Sequence, residues 1–153
     1  TTPRPVVLNT WEAAYFELSR ERLLGLAERA GRAGIELLVV DDGWYGHRDD
    51  TTTGLGDWYP NEHKLGGSLD ELIAEIASRG LAFGIWMEPE MVCEDSDLFR
   101  AHPEWRMEVP GRVPQRIRSE YPLDLTRTDV QDHLISVVSG LLTDHDISYL
   151  KWD

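Results

Sequence analysis

The sequence has little of what staples small secreted domains or metal-bound ones. Cys93 is the single cysteine in 153 residues. It excludes an internal disulfide and fits a reducing compartment, so the cytoplasm is the expected location. No histidine or other base motif adjoins it, and nothing marks it as a catalytic thiol. No run approaches the ~18 apolar residues of a membrane span, and the N-terminus shows no signal-peptide pattern. Cations are scarce: 15 Lys and Arg face 28 Asp and Glu, a formal net charge of −13. Phosphates would be repelled, which argues against nucleic acid or an anionic membrane as partner. No G-x-G-x-x-G follows the first apolar stretch, which removes a dinucleotide-binding fold. His47, His63, His102, His133 and His145 show neither H-x-x-x-H nor H-E-x-x-H spacing and read as surface or cap residues.

What is present is regular. An ordinary apolar fraction of 41% over this length supports one domain with a real core, and six tryptophans are many for it. Residues 5–9 (PVVLN) read as a strand and 19–33 as a helix. Ser19 caps that helix, Leu18 and Leu23 form a staple, and Gly34 stops it. The run 35–40 (IELLVV) has the continuous apolar character of a strand buried on both faces. Ser68 and Glu71 then make a capping box, a stripe of Leu72, Ile73, Ile76 and Ala77 follows, and Gly80 ends the helix. Strand 81–86 comes next, then a helix capped by Thr126, then strand 147–152.

This βαβαβαβ order predicts parallel strands joined by right-handed crossovers. Each strand ends in polar or aromatic groups: Asn9 and Trp11, Asp41 and Asp42, Trp86 and Glu88, Lys151 and Asp153. Functional residues at successive C-terminal strand ends are the habit of the (β/α)8 barrel, which typically takes about 250 residues. The fold class expected is therefore the N-terminal half of a (β/α)8 (TIM) barrel. Residues 1–153 would be a partial catalytic domain cut after the fourth strand. The tight helix-to-strand joints contrast with long loops at 43–67 and 87–125, placing the binding face at the strands' C-terminal ends.

The strand ends hold specific chemistry. Adjacent carboxylates leaving a buried strand, as in VVDDGW, must meet cations, metal or hydroxyls. They read as a clamp for vicinal sugar hydroxyls, as part of a divalent-metal site with Glu88 and Glu90, or as loop-ordering caps. Trp86 suits the apolar face of a sugar ring, or simply a barrel core. In KWD, Lys151 and Asp153 share one side of a strand and Trp152 takes the other. An ammonium beside Asp153 would favour the ionised carboxylate that a glycosidase nucleophile requires. A surface ion pair is the plainer alternative.

Taken together, LNTWEA, DDGWYGHRDD, GLGDWYPNEHK, GIWMEPEMV, DSDLFRAHPEW and YLKWD resemble the catalytic barrel of glycoside hydrolase family 36 α-galactosidases. The resemblance runs through nearly the whole chain in order. It implies a (β/α)8 barrel that hydrolyses terminal α-linked galactose of melibiose- or raffinose-type oligosaccharides with retention, without metal or organic cofactor. It implies that Asp153 is the nucleophile, that Asp41, Asp42 and Lys151 bind galactose hydroxyls, that Trp11 and Trp86 wall the pocket, and that Arg118 contacts the sugar. Ser119-Glu120 after Arg118, and Cys93 after EPEMV, depart from the amides common there. The family's acid/base carboxylate lies on a later strand, so the 153-residue piece is expected to be inactive alone. Its unpaired edge strands favour association, and the full-length protein is expected to be a homo-oligomer. Transglycosylation within the family, a metal-dependent barrel enzyme, and a non-catalytic galactose-binding module are the alternatives.

Overall fold

A computed structural model describes residues 3–153. The elements in chain order are β1 (Val7–Asn9), α1 (Trp11–Ala14), α2 (Arg20–Arg32), β2 (Leu37–Val40), α3 (Glu62–Leu65), α4 (Leu69–Ala77) and β3 (Ala82–Met87). They continue with β4 (Met91–Cys93), α5 (Asp97–Ala101), a 3-10 turn (Pro103–Trp105), β5 (Glu120–Pro122), α6 (Thr128–Asp144) and β6 (Tyr149–Trp152). The strands β1, β2, β3 and β6 form one parallel sheet in that order. Neighbours in space are thus neighbours among the four long-range strands, with no reversal. That is the arc of a (β/α)8 barrel rather than a doubly wound sheet, whose order reverses at a switch point.

Register then levels the strand ends. Asn9 pairs with Val39, Val40 with Ile85, and Met87 with Trp152, so the polar residues that follow emerge side by side. All four residues of β2 are buried, as its apolar run requires. Ser19 accepts the Arg22 amide and caps α2, and the Ser68–Glu71 capping box is complete. Leu23, Ala27, Leu38, Leu72, Ile76 and Ile85 are all fully buried in one core between helices and sheet.

The structure differs from expectation at α6. Thr126 does not cap it: both its amide and its hydroxyl donate to Asp124 Oδ1, at 3.0 and 2.7 Å. Asp124 thereby folds a tight turn on itself, and the helix starts two residues later behind Arg127, which offers no side-chain cap. The long loops are also more structured than their sequence indicates. Helix α3 packs on α4, and the antiparallel β4–β5 ladder with α5 builds a second layer over the strand ends. Asp57 braces it by accepting the amides of Asp97 and Leu98 at 3.0 Å each, and Leu55 O accepts the Cys93 amide at 3.1 Å. Val92, Leu98, Trp105, Tyr121, Leu123 and Val130 form its own small core. At the two sheet edges Val7, Tyr149 and Trp152 are exposed.

Gly84 sits in the middle of β3, between β2 and β6. A Cβ there would lie 3.0 Å from Val39 Cγ2 and 3.1 Å from Tyr149 Cβ and O. Gly84→Ala is expected to lower the unfolding free energy by ~1–3 kcal/mol through overpacking. The check is a lower urea midpoint at unchanged slope; an unmoved midpoint would mean the three strands are not packed this closely.

Candidate active site

Asp41 and Asp42 follow directly on β2, and their burial decides their partners. Asp41 Oδ2 accepts the Asn9 amide at 2.6 Å and the Lys151 ammonium at 2.8 Å. Its own backbone amide donates to Thr10 Oγ1 at 2.9 Å. Asn9 Oδ1 in turn accepts the Trp11 amide at 2.9 Å, so the end of β1 sets both Asp41 and the start of α1. Asp41 Oδ1 remains free to accept from a ligand. Asp42 is more heavily engaged. Its Oδ1 accepts the Tyr45 hydroxyl at 2.9 Å and Arg48 Nε at 3.0 Å, and its Oδ2 accepts Arg48 Nη2 at 2.9 Å. Three protein donors already meet Asp42, leaving room for one donor from a ligand rather than the two-hydroxyl clamp its sequence position invites.

Lys151 and Asp153 face one side of β6, as alternation predicts, and Trp152 faces the other, where it lines a groove with Leu134 and Val138 of α6. The expected Lys151–Asp153 pairing does not form. The ammonium turns to Asp41, whose buried carboxylate has the greater need of a cation. Asp153 Oδ2 instead accepts the Trp86 indole N–H at 3.0 Å, and its backbone amide extends the ladder to Met87 O at 2.9 Å. Trp86 is both core and wall. It is buried beside Tyr45 and Trp58, its carbonyl accepts Trp44 Nε1 at 2.8 Å, and its indole edge reaches the nucleophile candidate.

A cleft of about 400 Å³ opens at these strand ends, lined by Trp11, Asp41, Asp42, Thr51, Trp86, Arg118, Lys151 and Asp153. All seven residues singled out in the sequence therefore converge on it. Thr51, Arg48, Glu120 and Tyr45 were not singled out. Thr51 lies in a polar loop with no pattern to mark it. Arg48 is a fully buried arginine, and only its place six residues past Asp42 hints at the role. Burial alone would depress its guanidinium, yet the hydrogen bonds and charge of Asp42 raise it above its ordinary value.

Glu88 ends two residues past Trp86 and is partly buried. Burial, then the charges of Glu120 and Asp153, push its carboxyl up to about 7. Burial likewise pushes the Cys93 thiol up to about 11, and its sulfur accepts the Leu55 amide at 3.2 Å, a structural thiol. The metal reading of the acids is not supported by their arrangement. Asp41 faces Lys151, Asp42 faces Arg48, and Glu90 accepts the Trp152 indole N–H at 3.2 Å. Among the described residues no three His, Cys, Asp or Glu side chains are grouped to hold a metal ion.

The Melibiase family model matches residues 1–153. The bifunctional α-galactosidase/sucrose kinase AgaSK of Mediterraneibacter gnavus is 48% identical over 98% of this chain and 16% of its own length. The α-galactosidase AgaA of Geobacillus stearothermophilus is 45% identical over 98% of this chain and 21% of its own. A crystal structure of an AgaA variant in complex with raffinose superposes with a TM-score of 0.94 at 45% identity, covering 98% of this chain and 21% of that one. A second AgaA variant, in complex with stachyose, gives 0.93 at 44% identity, over 97% and 21%. The chain thus spans about a fifth of the length of these relatives. With the family model matched over every residue and relatives this similar across nearly the whole chain, it belongs to the Melibiase family.

Proposed function

We propose that this chain is part of the catalytic barrel of a longer, retaining α-galactosidase, with Asp153 as nucleophile. These residues supply four consecutive strands of that domain and the three helices that connect them. The substrate class is oligosaccharides ending in α-linked galactose, the class to which the raffinose and stachyose held by the Geobacillus enzyme belong. One observation carries the reading: an aspartate with a free oxygen, two tryptophans, two cations and two carboxylates surround one cleft at the ends of successive strands.

The chemistry follows from the geometry. Asp153 Oδ2 is fixed by the Trp86 indole, leaving Oδ1 to attack the anomeric carbon and form a covalent galactosyl ester. Lys151 Nζ, anchored on Asp41, has further N–H bonds to give a ring hydroxyl, and Asp41 Oδ1 accepts from another. Trp11 and Trp86 offer apolar faces to the sugar, and Arg118 donates from the far wall. Retention needs a second carboxyl about 5–5.5 Å away to protonate the leaving oxygen and then activate water. Glu88 is not among the residues lining the cleft, so that group comes from another part of the longer protein.

Two outcomes are expected of the full-length protein. A fluorinated galactosyl reagent that slows the second step should label the peptide carrying Asp153, and Asp153→Asn should abolish labelling and cut kcat/KM for an aryl α-galactoside by about 10³-fold or more. Labelling of another carboxylate would overturn the assignment. Glu88 predicts a pH effect on stability. Its folded value of about 7 exceeds the ordinary 4.5, so the folded state binds the extra proton between them. Stability from this group is present below pH 4.5 and is lost as pH rises through about 7. Glu88→Gln should therefore melt higher than wild type at pH 8, with the gap closing at pH 4.5. A gap independent of pH would contradict it.

A further inference from the structure

Four charged side chains alternate in sign across the cleft: Asp42, Arg48, Glu120 and Arg118. Arg48 Nη2 donates to Asp42 Oδ2 at 2.9 Å and to Glu120 Oε1 at 3.2 Å, and Nη1 donates to Thr53 O at 3.0 Å. Arg118 Nη1 lies 3.9 Å from Glu120 Oε2. The inner two members are sealed, with Arg48 side-chain exposure at 0% and Glu120 at 1%. The outer two line the cleft from opposite loops. One guanidinium thus joins the loop after β2 to the first residue of β5.

The turn that carries Arg118 shows why such a link is needed. Ile117 and Glu120 exchange backbone hydrogen bonds at 3.0 and 2.9 Å, making a two-residue turn with Arg118 first. Arg118 has φ +57°, a conformation that turns normally give to glycine. A left-handed arginine is strained and persists only where its surroundings hold it. Its side chain is 62% exposed, and its nearest charged partner is Glu120. Without Glu120 the guanidinium would have long, flexible freedom at the cleft mouth.

We propose that Arg48 and Glu120 are positioning residues that set Asp42 and Arg118 as one unit for the sugar, an inference that rests on the α-galactosidase reading. Neither touches substrate. Arg48 forks onto Asp42 so that its carboxylate is held in one plane, and Glu120 draws Arg118 toward the ring. An ammonium in place of Arg48 could not bridge both carboxylates with the same geometry.

The test is a double-substitution cycle in the full-length protein with an aryl α-galactoside. Glu120→Gln keeps an acceptor for Arg48 and removes the charge that draws Arg118. It should raise KM about ten-fold with kcat within about two-fold, since binding contacts away from the reacting carbon are loosened. Arg118→Met, at an exposed position, should raise KM similarly, and the double variant should be no worse than Arg118→Met alone. Arg48→Lys provides a second route if Glu120→Gln folds poorly: its loss should be less than multiplicative with Arg118→Met, the part that acts through Asp42 persisting in the double variant. A structural role alone would lower the melting temperature and leave the effects multiplicative. An unchanged KM, or losses that multiply in the double variants, overturns the clamp. A wild-type protein without turnover overturns the functional reading and the clamp with it, whereas an active wild type with multiplicative losses sinks the clamp alone.

Discussion

Two adjacent carboxylates at the tip of a fully buried strand cannot stay unpaired, and the site is built around how that demand is met. Asp41 and Asp42 are each at most 5% exposed. Leaving one charged and unpartnered would cost several kcal/mol. Asp41 takes Lys151 from a strand 110 residues later, and Asp42 takes Arg48 from its own loop. The first pairing ties β2 to β6 across the intervening β3. The second recruits Glu120, and so draws the β4–β5 layer over the cleft. One pair of acids thus ties both a later strand and the overlying loops to the end of β2.

Parallel register makes these distant partners available. Because β1, β2, β3 and β6 pair in order and end level, residues far apart in sequence arrive at one rim. Asn9, Asp41, Trp86 and Lys151 come from four different strands or their ends, yet they form one hydrogen-bonded or packed set. This is the same feature that made the site readable. The apolar runs and capping signals placed the four sheet strands and the crossover helices α2, α4 and α6 within about two residues, and the polar residues past each run pointed to the cleft.

What could not be read depended on competition between partners. Lys151 beside Asp153 in the sequence suggested a pair, but the choice between Asp153 and Asp41 turns on burial, which only the fold decides. Arg48 sits in YGHRDD, among residues that read as a polar loop, and nothing in that stretch says that its guanidinium will be wholly enclosed. Thr126 has every local mark of a cap, yet Asp124 two residues earlier claims its hydroxyl and amide. The strands β4 and β5 have three residues each, too few for periodicity to show.

The unexpected partner of Lys151 also bears on the proposed chemistry. An ammonium bonded directly to Asp153 would stabilise the free carboxylate, and much of that stabilisation would be lost as its charge passes into the new ester bond. Interactions stronger in the ground state than in the transition state raise the barrier. With Lys151 held by Asp41, Asp153 keeps, among the described residues, a single side-chain donor, the neutral indole of Trp86. That donor fixes its direction while leaving its second oxygen unencumbered. In the proposed reaction the cation would serve the site from beside Asp41, meeting sugar hydroxyls whose charge changes little. On that proposal, positive charge lies where it would bind and is withheld from the atom that would attack.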